Sequence, residues 1–370
     1  MIMRPHSGQG ADSFVEGAKV SGLATISSMD SVEWIQVIYR RHPEIRRKEK
    51  PMKVIVLSRV LKEKHVEKIK KTAVEAGAVL CFVEDEKDIP EGFSDAEVLY
   101  GFGTEYARTN PALKWLCVPS AGVDYLMGES AFANKECLLT NSSGAYGVTI
   151  AEHIITVSLM MMRKLTLTYE ETLRGEWGKP KPQKSLKDCR ITVLGTGDIG
   201  TCFAKRAKAF EPKTIVGVNR SGNCPDPCYN QILTIEELDT ILPETDLLVM
   251  SLPDTKETKG ILSGERMALL PKDAYIVNVG RGSAIDEEAL AELLEKDELG
   301  GAALDVFRTE PLPSDSPLWK TKNLLITPHV AGNLTLDYTL DTNVEMFCED
   351  LLNYAKGLPL KNLVDRTRGY

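Results

Sequence analysis

Three short segments hold side chains that could act together on a small acid: Asn278-Val279-Gly280-Arg281-Gly282, the run Asp305 to Pro311 with Glu310 near its end, and Thr327-Pro328-His329-Val330-Ala331-Gly332. An arginine presents a planar fork of donors that matches a carboxylate and can polarise a neighbouring carbonyl. An imidazole titrates close to neutral pH, so it can give or take a proton there. A glutamate beside it stabilises the imidazolium and fixes the orientation of the ring. Arg281 as anion binder, His329 as acid/base and Glu310 as its partner make a set suited to hydride transfer at the carbonyl of a 2-oxo acid, where the forming alkoxide needs a cation and a proton. Taken singly, each has a bland reading as a surface arginine, a solvated carboxylate or a loop histidine. All three follow apolar runs that read as strands, and in a doubly wound sheet the carboxyl ends of the strands converge on one crevice.

A second signature lies upstream. Gly195-Thr196-Gly197-Asp198-Ile199-Gly200 directly follows the apolar run 191–194 and opens a helical stretch. This is G-x-G-x-x-G between a strand and a helix: Gly195 permits the tight turn, Gly197 lets a pyrophosphate approach the backbone, and Gly200 allows close helix-strand packing. With Asp198 and Ile199 between them, these residues predict a dinucleotide site at a helix N-terminus. The next strand, 214–218, is expected to end at the adenosine ribose, where a carboxylate normally accepts the hydroxyls. Here the chain reads Asn219-Arg220-Ser221. With no carboxylate to repel a 2′-phosphate and a guanidinium able to grip one, the expectation favours NADP, with NAD as the alternative. In the competing reading Arg220 only stacks on the adenine, which leaves mixed specificity.

The elements that must position these residues are legible as alternating short apolar runs and amphipathic stretches. Strands are expected at 53–57, 78–83, 97–100, 114–118 and 138–140, and then at 190–194, 214–218, 246–251, 274–279, 300–306 and 323–327. Helices are expected at 62–76, at 148–173 as one long element ended by Gly175, at 201–210, and from Thr335 to about Lys356. Short buried strands separated by helices imply two parallel α/β sheets. The 370 residues, 43% hydrophobic, suffice for two cores. A net charge of -8 gives no broad basic field for nucleic acid or anionic lipid, so an anionic ligand must be held by local groups. Eight scattered cysteines without framework spacing, several inside apolar runs such as Trp115-Leu116-Cys117-Val118, read as reduced thiols in a cytoplasmic setting. Cys224 and Cys228 lack further ligands nearby and read as a surface loop rather than a metal site; no metal is expected. Met160, Met161, Met162 and His153 read as helix packing residues. No stretch approaches the length of a membrane span, and no secretory leader pattern opens the chain. Residues 1–51 are polar, with a basic run at Arg46-Arg47-Lys48; they are expected to be a poorly ordered extension or an upstream start before Met52, with a short helix possible near 31–41.

Together the phrases N-V-G-R-G, D-V-F-R-T-E-P-L and T-P-H-V-A-G and the order Arg281, Glu310, His329 resemble the D-isomer-specific 2-hydroxyacid dehydrogenase family, over about residues 53–370. The resemblance implies a Rossmann dinucleotide-binding domain (148–332) plus a flavodoxin-like α/β substrate domain (52–147 and 333–370), both doubly wound parallel sheets. It implies a small 2-oxo or 2-hydroxy acid as substrate, Arg281 as substrate binder, the His329–Glu310 pair as acid/base, and a homodimer. Asp305 resembles the residue that contacts the nicotinamide amide. Leu252, Pro253 and Thr258, with Val279, Gly280 and His329, fall where the family lines its cofactor. Ser120-Ala121-Gly122-Val123-Asp124 resembles the substrate loop, with Ala121, Gly122 and the Val123 amide facing the acid. Tyr100-Gly101-Phe102 is expected to shape the side-chain pocket, or else to pack an aromatic at a domain edge. Two alternatives stand beside this reading: a phosphoglycerate dehydrogenase-like enzyme, which should add basic groups near residues 100–125, and a dinucleotide-sensing corepressor-like binding protein.

Overall fold

The computed structural model describes residues 51–366, so the expectations for the N-terminal extension and its helix at 31–41 lie outside the described residues. Runs of Val, Ile and Leu that become buried must pair their backbone groups, and here they pair laterally into two sheets. The first is built from β1 (Met52–Leu57), α1 (Glu63–Ala76), β2 (Ala78–Val83), β3 (Val98–Tyr100), α2 (Thr104–Thr109), β4 (Trp115–Cys117) and β5 (Leu138–Thr140). Its strands run in the order β2-β1-β3-β4-β5, all parallel. Two helices follow, α3 (Gly147–Met162) and α4 (Leu165–Leu173). The second sheet takes β6 (Arg190–Leu194), α5 (Asp198–Ala207), β7 (Thr214–Asn219), β8 (Gln231–Thr234), α6 (Leu238–Ile241), β9 (Leu247–Met250), α7 (Gly264–Met267), β10 (Tyr275–Asn278), α8 (Glu287–Glu295), β11 (Gly301–Leu304) and β12 (Leu324–Ile326). Its order is β12-β11-β10-β9-β6-β7-β8, again all parallel. Strand order reverses beside β1 in one sheet and beside β6 in the other, which makes them flavodoxin-like and Rossmann-type sheets with ligand crevices at their carboxyl edges.

The last helix, α9 (Asp337–Lys356), returns to the first sheet. Its Leu340, Val344, Phe347 and Leu351 share a core with Val54, Val56, Tyr100 and Trp115. The Phe347 ring stacks on Tyr100 at 4.5 Å and lies 5.8 Å from Trp115. On the outer side α9 meets α1 through Lys64–Asp341 at 2.5 Å, Lys68–Glu345 at 2.9 Å, and the buried His65, whose Nε2 is 2.6 Å from Asp341 Oδ1. Exposed pairs of this kind contribute at most about 1 kcal/mol each, whereas a fully buried Phe is worth about 1.5–3 kcal/mol, so ring packing sets the docking of α9.

Three elements of the fold differ from the sequence expectations. The helical stretch 148–173 is two helices, broken at Lys164, which adopts φ 52°. The Lys164 ammonium donates to Gly300 O at 3.1 Å and sits 5.4 Å from the Tyr275 ring centroid, so a tether to the second sheet outweighs helix continuity. Strand β8 was not expected, because Gln231 and Thr234 are polar; pairing with β7 along a sheet edge makes it a strand. Cys228 is buried with Tyr229 in the core under the second sheet instead of lying in a surface loop. All eight cysteines are free, and Met161 and Met162 are buried. Among the described residues no helix is long and apolar enough to cross a membrane.

Candidate active site

The carboxyl edges of the two sheets face each other across a cleft of about 680 Å³. Arg281 follows β10, Glu310 follows β11 and His329 follows β12, and all three line it. His329 Nδ1 lies 2.6 Å from Glu310 Oε2. The other Glu310 oxygen accepts the Phe307 N–H at 2.8 Å, so the carboxylate is held from both ends and the imidazole is held by it. With Nδ1 on a carboxylate, Nε2 is the nitrogen left for a ligand.

His329 itself sits in the left-handed region, at φ 53°. A non-glycine residue there is strained and needs its surroundings to hold it. Asp305 supplies the restraint: its carboxylate accepts from Thr327 Oγ1 at 2.6 Å and from the N–H groups of Val330 at 2.9 Å and Ala331 at 3.0 Å, and its carbonyl accepts the His329 N–H at 2.8 Å. Asp305, expected as a nicotinamide contact, is buried, and the contacts it makes organise the turn that presents His329. His153 joins this region from α3, its Nε2 3.4 Å from Thr327 Oγ1; burial lowers its pKa, against the opposing pull of Asp305.

Arg281 is held from the first-sheet side. Its Nε and Nη2 donate to Asp124 Oδ1 at 3.0 and 2.6 Å, and Nη1 donates to Gly280 O at 2.9 Å. That leaves further N–H groups of Nη1 and Nη2 for another acceptor. The guanidinium passes directly over Gly122, where a Cβ would lie 1.5 Å from Nη2. A side chain at this position would have to displace the guanidinium. Ala121 and Gly122 line the cleft, while the Val123 side chain is buried in the first core, so only its backbone faces outward duty. Asp124 carries a role that the sequence reading did not assign; its signal was present, an acid directly after the glycine loop, but the partner lies on the other sheet.

The expected pocket residues after β3 are corrected. Tyr100 is 1% exposed and points to the face covered by α9, because it is still in the strand. Gly101 turns the chain at φ 138°, where a Cβ would sit 2.3 Å from Leu57 O, and its N–H is taken by Cys117 O at 3.0 Å. Phe102, one residue on, is the ring that reaches the cleft. Tyr125 and Tyr146 also line it.

The turn after β6 fits a dinucleotide. Gly195 has φ 103°, and a Cβ there would meet Ser251 O at 2.9 Å; a Cβ on Gly200 would meet Gly195 O at 2.0 Å. Gly197 faces open space just before α5, so its backbone can be approached by a pyrophosphate at the positive end of that helix. Ile199 and Val279 line the cleft beside it. The Asp198 carboxylate turns instead to the start of α3, 2.5 Å from where a Cβ of Gly147 would be. At the end of β7, Asn219 Oδ1 accepts the N–H groups of Ser221 at 2.9 Å and Gly222 at 2.8 Å, and Nδ2 donates to Thr196 Oγ1 at 2.6 Å. Asn219 thus ties the ribose loop to the phosphate turn. Pro253 is exposed. Leu252 is buried, its backbone pressed against Gly280. Thr258 is corrected: it is buried, and its hydroxyl donates to Pro253 O at 2.7 Å and accepts the Thr255 N–H at 2.9 Å, bracing the loop from inside instead of facing a cofactor.

Comparison with known proteins accords with this architecture. The family profile described as "D-isomer specific 2-hydroxyacid dehydrogenase, NAD binding domain" matches residues 155–331. Glyoxylate reductase of Thermofilum pendens is 31% identical over 261 residues, 69% of this chain and 72% of that protein. A D-isomer-specific 2-hydroxyacid dehydrogenase family protein of Aeromonas salmonicida superposes with a TM-score of 0.77 at 30% identity, covering 86% of this chain and 100% of that one. The D-isomer-specific 2-hydroxyacid dehydrogenase of Xanthobacter autotrophicus, solved with NADPH and MES, gives 0.72 at 27% identity, covering 87% and 100%. With two parallel sheets, a glycine turn that admits a dinucleotide and an arginine, glutamate and histidine gathered at one cleft, the chain belongs to the D-isomer-specific 2-hydroxyacid dehydrogenase family, oxidoreductases that act on CH–OH groups with NAD(P).

Proposed function

We propose that the protein reduces 2-oxo acids to D-2-hydroxy acids, with His329 as the proton donor. The observation that carries this reading is the 2.6 Å contact of His329 Nδ1 with Glu310, which leaves Nε2 facing the same cleft as Arg281. The substrate carboxylate and carbonyl oxygen are held by the remaining N–H groups of Arg281 and by the backbone of the loop at Gly122 and Val123. The dinucleotide, when bound, supplies the hydride to the carbonyl carbon. His329 Nε2 gives its proton to the carbonyl oxygen, so the product is the neutral alcohol and the imidazole is left uncharged. Glu310 stabilises the imidazolium before transfer, and Asp124 positions Arg281. The test is consumption of NADPH with a panel of 2-oxo acids; tight dinucleotide binding with no turnover of any of them would favour a sensor instead.

NADP is the favoured cofactor, because the side chain at the end of β7 is the amide of Asn219 in place of a carboxylate and Arg220 follows it. Arg220→Ala is expected to weaken NADPH binding by roughly 10- to 100-fold, the range for a charged hydrogen bond, with a much smaller change for NADH. Equal effects on both would overturn the preference.

The homodimer reading draws support from α4 and the turn after it. Leu165, Tyr169, Leu173 and Trp177 recur every fourth residue, and Tyr169 is 64% and Leu173 70% exposed. An apolar stripe of this kind is the expected face of a symmetric interface. Leu173→Glu should convert a dimer to monomers in sedimentation analysis; an unchanged sedimentation coefficient would exclude this face. Eight free thiols accord with a cytoplasmic protein.

A further inference from the structure

We infer that the cleft selects 2-oxo acids with an uncharged, bulky apolar side chain, branched aliphatic or aromatic, over glyoxylate and over acids with a second anionic group. This rests on the reading of the site as a 2-oxo-acid reductase. The two walls of the cleft differ in chemistry. The second-sheet wall carries Arg281, Glu310 and His329 and the dinucleotide turn, so the reacting carbonyl belongs there. A substrate held by its carboxylate and carbonyl on that wall points its side chain toward the first sheet. There it meets Phe102, which follows β3, and Tyr125, which follows β4; both line the cleft and yet remain 47% and 48% exposed. Each ring therefore has apolar surface that a substrate side chain can cover, and covering it is favourable in proportion to the area removed from water. Glyoxylate has no side chain to do so.

The same cleft disfavours a second anion. Of the two arginines that line it, Arg281 is engaged by Asp124 and Gly280 O, and Arg308 is paired with Glu288 and lies 3.9 Å from Glu287. Asp124, Asp254 and Glu310 add carboxylates to the lining. A phosphate or second carboxylate on the substrate would meet these carboxylates with Arg308 already paired and the remaining N–H groups of Arg281 given to the first carboxylate.

The experiment compares kcat/KM of the full chain with NADPH for phenylpyruvate, 2-oxoisocaproate, glyoxylate and 2-oxoglutarate. The expected result is a preference for the first two over glyoxylate of about 10- to 100-fold, the range that hydrophobic pockets give for added methylenes, and still weaker use of 2-oxoglutarate. Phe102→Ala should lower the phenylpyruvate-to-glyoxylate ratio about tenfold, and Tyr125→Ala should lower it in the same sense. Glyoxylate or 2-oxoglutarate turned over as well as phenylpyruvate would overturn the inference while leaving the reductase reading intact. A wild-type preference that neither variant alters would overturn the assignment to these rings. No turnover of any of the four would remove the reductase reading and this inference with it.

Discussion

His329→Ala is expected to lower turnover of any accepted 2-oxo acid by about 100- to 10,000-fold, the span attributed to a positioned general acid, while NADPH affinity stays nearly intact. The expectation follows from the position of the ring. Its Nδ1 is committed to Glu310, and that carboxylate is itself fixed by the Phe307 N–H, so one nitrogen is anchored and the other serves the cleft. Glu310→Gln should give a smaller loss, because the glutamine keeps a side-chain oxygen for the Nδ1 contact that orients the ring. Full activity in His329→Ala would remove the acid/base assignment.

Arg281→Lys should cost roughly 100- to 1,000-fold in kcat/KM, although charge is conserved. A lysine offers a point charge where the arginine offers a fork, and it cannot serve Asp124, Gly280 O and a substrate carboxylate together. The companion variant is Asp124→Asn, which keeps the shape of the side chain and removes its charge. As a positioning residue, Asp124 should act through Arg281, so KM for the acid rises about tenfold while kcat, NADPH affinity and the unfolding temperature change little. A structural role alone would move the unfolding temperature and leave KM alone. If both KM and kcat are unchanged in Asp124→Asn, the contact seen across the cleft has no bearing on substrate binding.

These contacts also show where sequence reading reaches its limit. The turn Gly195 to Gly200 could be read as a dinucleotide site because everything it needs, a strand before, a helix after and three glycines, lies in one continuous stretch, 190–207. Tyr100 and Phe102 could not be told apart in that way. Both are aromatic, two residues apart, and which one faces the cleft depends on where β3 ends and on the bend at Gly101, where φ is 138° and a Cβ would meet Leu57 O. Thr258 looked like a lining residue in sequence and became a brace because the loop folds back on it. Asp305 lines the cleft, and only the structure shows that three donors from the turn around His329 converge on its carboxylate.

By itself the sequence determined the α/β class, most strand positions, the glycine turn and the three strand ends that hold Arg281, Glu310 and His329. Each of these is written in hydrophobic periodicity or in a motif shorter than one supersecondary unit, where neighbours in the chain are also neighbours in space. Only the tertiary structure decided that Asp124 meets Arg281, that Gly122 lies beneath the guanidinium, that Lys164 breaks the long helix against Gly300, and that Phe102 rather than Tyr100 borders the cleft. Those outcomes depend on distances across two sheets and on which face of an element is already covered. Local pattern carries neither.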